Sequence, residues 1–216
     1  MYIINKIIIK KIFLILAISS IFSCKAQRGS FYETINLDPQ DRSEDYAING
    51  KYYKDLNNTL NNFTGTYLYT NGATSFKIIL QKKLESSVNN VYKEDILIGS
   101  YQYIENGVEK INVLNDINNN YANGWNYSIN ANNILTGQTL GCTDCSANEK
   151  WLRGIIDDPL PNGGGSATLF IRKKIVGGQE AIKVWIYKSM YAAGPGSAPI
   201  NSVAYPIGEE FILIKQ

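Results

Sequence analysis

The 216-residue chain contains no histidine. This removes imidazole chemistry as a class: no Ser-His-Asp triad, no Cys-His pair, no histidine zinc ligand and no histidine general base can be built. Cysteine is scarce as well, with only Cys24, Cys142 and Cys145. There is no long run of Lys or Arg, and the formal charge of +2 overstates the basic character. Without the N-terminal Lys6, Lys10 and Lys11, 18 of the 21 basic residues remain against 19 acidic ones, a net charge of −1. A nucleic-acid partner therefore has no electrostatic basis.

Motifs for cofactors and metals are missing too. Pro161-Asn-Gly-Gly-Gly-Ser166 is glycine-rich but lacks the Gly-Lys-Ser/Thr ending of a phosphate loop, so it reads as a turn. Asp116-Ile-Asn-Asn-Asn120 begins like a calcium loop, but Tyr121 stands where glycine is required and no acid closes the loop. The carboxylate pairs Glu94-Asp95, Asp157-Asp158 and Glu209-Glu210 are sequence neighbours. Neighbours on a strand point to opposite faces, so none forms a ready acid/base pair. No catalytic residue, cofactor or metal is expected, and the chain reads as a non-enzyme.

What is present begins with an export signal. Lys6, Lys10 and Lys11 precede the apolar Ile12-Phe-Leu-Ile-Leu-Ala-Ile18, and small residues follow. This is the pattern of a secretory signal peptide. A spanning helix needs roughly 20 uninterrupted apolar residues, and Lys10-Lys11 interrupt this one. Ile21-Phe-Ser-Cys24 resembles a bacterial lipobox, which implies a diacylglyceryl group on Cys24 and a membrane partner through that lipid. Cleavage after Ala26, giving a secreted chain, is the competing reading. The expected organisation is a signal peptide over 1–23, a lipid-anchored linker over 24–50 and a single domain over 51–216. The expected location is the bacterial outer membrane, on its periplasmic face or at the cell surface.

Within the domain, Leu56, Leu60 and Phe63 lie at helical spacing, which predicts a short helix over 51–62 packed across the mouth of a sheet. Strands follow at Phe63–Thr70, Phe76–Leu80, Asp95–Tyr103 and Lys110–Leu114, with Asn71-Gly72 and Asn106-Gly107 as tight hairpin corners. The asparagine-rich stretch 115–133 reads as a long loop holding one short strand. Further strands are predicted at Lys150–Asp157, Ser166–Ile175, Glu180–Tyr187 and Glu209–Lys215, with Gly177-Gly178 as a turn and a loop over Met190–Pro206. About eight alternating strands in chain order predict an all-β antiparallel fold, an up-and-down eight-stranded barrel or a sandwich.

Two constellations remain. Cys142-Thr-Asp-Cys145 is a pair in an exported chain, read as a local structural disulfide, with thiol-disulfide exchange or zinc binding as the alternatives. Tyr67, Tyr69, Tyr101, Tyr103, Trp151 and Trp185 all fall on predicted strands. They either fill the core or line a cup for a small apolar or amphipathic ligand.

Ser23-Cys-Lys-Ala-Gln27, Tyr53-Lys-Asp-Leu-Asn-Asn58, Gly65-Thr-Tyr67, Phe76-Lys-Ile-Ile-Leu80 and Asp95-Ile-Leu-Ile-Gly99 resemble uncharacterised small exported proteins of flavobacteria, a domain of unknown function. The resemblance covers most of the mature chain and implies a Gram-negative envelope location without an assigned activity. Gly65-Thr-Tyr67 is also similar to the Gly-x-Trp opening of lipocalins, with Tyr67 where lipocalins keep tryptophan. The reading that follows is an envelope lipoprotein binding a small apolar or amphipathic ligand. The alternative is a lipoprotein that meets envelope protein partners through its surface loops.

Overall fold

The computed structural model describes residues 32–41, 45–138, 142, 144–159, 165–189 and 204–216. The signal segment, Cys24, the Pro161 to Gly164 turn and most of the Met190–Pro206 loop lie outside them.

The described residues form eleven strands: β1 (Glu33–Asn36), β2 (Lys51–Lys54), β3 (Gly65–Asn71), β4 (Thr74–Val88), β5 (Tyr92–Glu105), β6 (Val108–Asn112), β7 (Ile129–Thr136), β8 (Lys150–Asp158), β9 (Gly165–Val176), β10 (Gln179–Ser189) and β11 (Glu210–Lys215). Eight of them close on themselves. β3, β4 and β5 pair in turn, β5 pairs with β7, and β7 to β11 follow in chain order until β11 returns to β3. Every pairing in this ring is antiparallel, so the domain is an up-and-down eight-stranded barrel rather than an open sandwich.

The barrel forms because each stave alternates. Phe76, Ile78 and Leu80 of β4 point inward, as do Leu97, Tyr101 and Tyr103 of β5, and all join one buried core. β9 and β10 contribute Leu169, Ile171, Ile182, Val184 and Ile186 to the same core. The outer face carries ion pairs such as Lys183–Glu210 at 2.8 Å. Among the described residues no helix is long and apolar enough to cross a membrane.

Three local expectations change. First, the eighth stave is β7, not the Lys110–Leu114 strand. β6 is a short hairpin wing on β5 with only Ile111 buried. β7 begins inside the asparagine-rich stretch and runs past its end, and a bulge between Ala131 and Asn133 interrupts its alternation. Second, the helix expected over 51–62 is strand β2 followed by one 3-10 turn, Leu60–Phe63. Tyr53 is buried on β2, and the asparagines at 57, 58, 61 and 62 disfavour a longer helix. Leu60 and Phe63 are buried in the barrel core as expected, whereas Leu56 is exposed. Third, Glu33–Asn36, within the stretch expected as a linker, pairs in parallel with β2, and Ile35 and Leu37 join the core.

An ionic cluster sits beside the 3-10 turn. The Asp55 carboxylate accepts the backbone N–H groups of Thr59 at 2.8 Å and Leu60 at 2.9 Å, filling orphan donors of the turn. It also accepts Lys82 Nζ at 2.8 Å. Asp95, facing inward from β5, accepts the Tyr52 hydroxyl at 2.5 Å and the Asp55 N–H at 3.1 Å.

Candidate functional site

The site is built on the outside of the barrel, where residues 113–128 fold back over β5. Ile96, Ile98 and Tyr127 form a second buried cluster there, with Ile117, Tyr121 and Trp125 packed on it. Asp116 organises the covering segment. One carboxylate oxygen accepts Ser128 N and Ser128 Oγ, both at 2.7 Å, and the other accepts Asn119 Nδ2 at 2.9 Å. The residue that begins a calcium-like run is therefore engaged by its own loop.

Gly124 fixes how closely this segment lies on the wall. Its N–H donates to Ser86 Oγ at 2.7 Å, and a Cβ there would stand 2.5 Å from Ile96 Cγ2. Asn123 then caps the turn by accepting the Trp125 N–H at 3.0 Å. Together these contacts set the Trp125 indole over β5, where its Nε1–H donates to Glu94 Oε1 at 2.5 Å.

Glu94 is the hub of the site. It has 0 % exposure. Its Oε2 accepts Asn132 Nδ2 at 2.7 Å and hydrogen-bonds the Tyr46 hydroxyl; Asn132 also donates to Tyr46 Oη at 2.6 Å. Asn132 is the extra residue of the β7 bulge, where Ala131 faces Gly154 and Asn133 faces Arg153. A bulge places two residues against one partner residue. Here it brings both Asn132 and Asn133 to one cleft. Burial pushes the Glu94 carboxyl up to about 7, opposed by the Trp125 and Asn132 hydrogen bonds.

Above this hub lies a cleft of about 390 Å³. Leu37, Pro39 and Ile155 give it apolar walls, and Tyr46, Trp125 and Asn132 form the hydrogen-bonded part of its lining. Asn133 and Arg153 complete it, and Arg153 is exposed with no ion-pair partner among the described residues. A second, more polar cavity of about 720 Å³ lies against the same tryptophan, lined by Asn115, Asn126, Tyr121 and Asp157 among others. Both volumes fall in the range of roughly 300–1,000 Å³ typical of small-molecule sites.

Across residues 9–216 the chain matches a family described as a family of unknown function (DUF6705). It belongs to that family. No curated protein and no solved structure matches it. For this family member, then, the geometry of the site carries the functional argument.

The six aromatics singled out in the sequence separate into two groups. Tyr67, Tyr101 and Tyr103 are buried in the barrel core, and Tyr69 packs against it. Trp151 belongs to an outer cluster with Phe170 and Cys145, against which Trp185 packs. Neither cavity described above is lined by any of the six. Cys142 and Cys145 form a disulfide, with Cα atoms 5.5 Å apart. Asp144 between them pairs with Arg172 at 2.6 Å. With both sulfurs bonded to each other, this trio offers no thiolate to a metal.

Sequence reasoning did not identify Tyr46, Trp125, Asn132 or Arg153. Glu94 and Asp95 do lie on opposite faces, Glu94 under Trp125 and Asp95 toward Tyr52 and Asp55. The usable signal was a charged pair at the start of an otherwise apolar strand, because a carboxylate buried there requires donors from elsewhere.

Proposed function

We propose that this domain is a non-enzymatic binding module for a small amphipathic ligand bearing an acidic group, seated in the cleft between Tyr46, Trp125 and Arg153. The observation that carries the reading is Arg153. It is exposed and without an ion-pair partner among the described residues, at the edge of a cleft walled by Leu37, Pro39 and Ile155. An apolar body would lie against those walls and the Trp125 ring, and a carboxylate or similar anion would meet the guanidinium, which suits planar bidentate anions. The Glu94 hub would keep the tryptophan and tyrosine walls in place before the ligand arrives, which lowers the ordering cost of binding.

The reading includes export and a lipid anchor. Its support is the basic, apolar and small-residue order of the N-terminus and the Ile21-Phe-Ser-Cys24 match, which ends on a cysteine apart from the disulfide pair. Anchoring at Cys24 would hold the module at the envelope membrane through its lipid.

Native mass spectrometry of the mature chain, purified from its host without denaturation, tests both parts. The expected spectrum shows a diacylated chain starting at Cys24 and a stoichiometric adduct of a few hundred daltons that is lost on unfolding. A bare protein mass would contradict the binding reading. A chain starting at Gln27 would contradict the anchor.

A further inference from the structure

We propose that the polar cavity beside Trp125 is a second site, for a neutral saccharide. Its lining combines side-chain amides, carboxylates and aromatic rings and, among the described residues, includes no Lys or Arg. The absence of a cation from the lining argues against phosphate or carboxylate ligands and separates this cavity from the Arg153 cleft.

Which groups are already engaged decides what remains for a ligand. Asp116 is held by Ser128, Asn119 and Tyr121, so the wall carrying it is rigid and its carboxylate is taken. That also leaves it unsuited to caging a cation. By contrast, the side-chain amides of Asn115 and Asn126 make no hydrogen bond among the described residues. Asp157 accepts Ser166 Oγ on one carboxylate oxygen and has no hydrogen-bond partner on the other among the described residues. An amide presents a donor and an acceptor side by side, and a carboxylate accepts two hydroxyls. Two open amides and an open carboxylate oxygen in one cavity therefore match the adjacent hydroxyls of a sugar ring. Tyr121 and Trp125 supply ring faces on which the apolar C–H side of a pyranose can rest.

The inference does not depend on the amphipathic ligand, and the test keeps the two apart. Cellobiose, maltose and N,N′-diacetylchitobiose are titrated into the mature chain and followed by saturation-transfer NMR and tryptophan fluorescence. At least one should bind saturably in the millimolar range or tighter. Asn115→Ala and Asn126→Ala should each weaken it about tenfold, the size of one well-placed hydrogen bond. Both residues are exposed, so these variants keep the fold. Arg153→Ala should leave sugar binding unchanged. No saturable response to any of the three sugars overturns the proposal. So does binding that both asparagine variants leave intact, or that Arg153→Ala abolishes.

Discussion

Glu94 has a carboxyl group with no solvent exposure and hydrogen bonds to Trp125, Asn132 and Tyr46. Its pKa rises from 4.5 to about 7, chiefly because burial penalises the charged form. Between those values the folded chain holds more protons than the unfolded one, so stability falls as pH rises. The contribution is full below about pH 4.5 and is lost as pH passes about 7, an effect of order 3 kcal/mol at most. Glu94→Gln removes the titration while keeping an acceptor for Trp125. Urea unfolding at a series of pH values should therefore show wild type losing stability relative to the variant from about pH 4.5 to about pH 7. Parallel pH curves would contradict this account of Glu94.

Single residues also show how far turn chemistry can be read. Asn106-Gly107 has positive φ at both residues, 51° and 79°, as a type I′ corner requires. Gly177-Gly178 does the same at 57° and 82°. Asn71-Gly72 does not: Asn71 pairs with Thr74 as the last residue of β3, so the two-residue loop is Gly72-Ala73. The dipeptide marked the hairpin, but the register was set by Phe76 and Tyr69 facing each other across the strands.

At the scale of elements, the 3-10 turn Leu60–Phe63 depends on Asp55. One carboxylate caps the turn, binds Lys82 and lies buried among other polar groups. Removing Asp55 leaves the Thr59 and Leu60 N–H groups without their acceptor and, among the described residues, Lys82 with Asp95 alone, at 3.7 Å. At about 1–3 kcal/mol for each unsatisfied buried group, the cost is about 3–5 kcal/mol. Asp55→Ala should lower the unfolding free energy by roughly that amount, read from the denaturant midpoint at constant m-value. A loss under about 1 kcal/mol would show that the cluster is no more than a surface ion pair.

Strand β7 is the element that was hardest to see. Its inward residues Ile129, Ala131 and Ile134 break a spacing of two at the bulge, and asparagines dominate its other positions. Periodicity cannot find a stave whose period is interrupted. The bulge that hides β7 in the sequence also delivers Asn132 to Glu94 and Asn133 to the cleft.

For the whole molecule, fold class was legible because it rests on a repeated local rule. Alternation along β4, β5, β9 and β10 fixes which side is core, and short turns in chain order fix neighbours. Closure was not legible, since it rests on the non-local contact of Leu97 and Gly99 with Ala131 and Ile129. The candidate site was hidden for the same reason. Its residues come from positions 37, 39, 46, 94, 125, 132–133 and 153–155, which only the closed barrel and its covering segment bring together.

The most direct test of the central claim is a titration with 8-anilinonaphthalene-1-sulfonate, an apolar ring system carrying one anion, against wild type and Arg153→Ala. The account predicts a single saturable site in wild type, with affinity about tenfold weaker in the variant from loss of one charge-assisted hydrogen bond. Absence of a saturable site, or equal affinity in the two proteins, would contradict it.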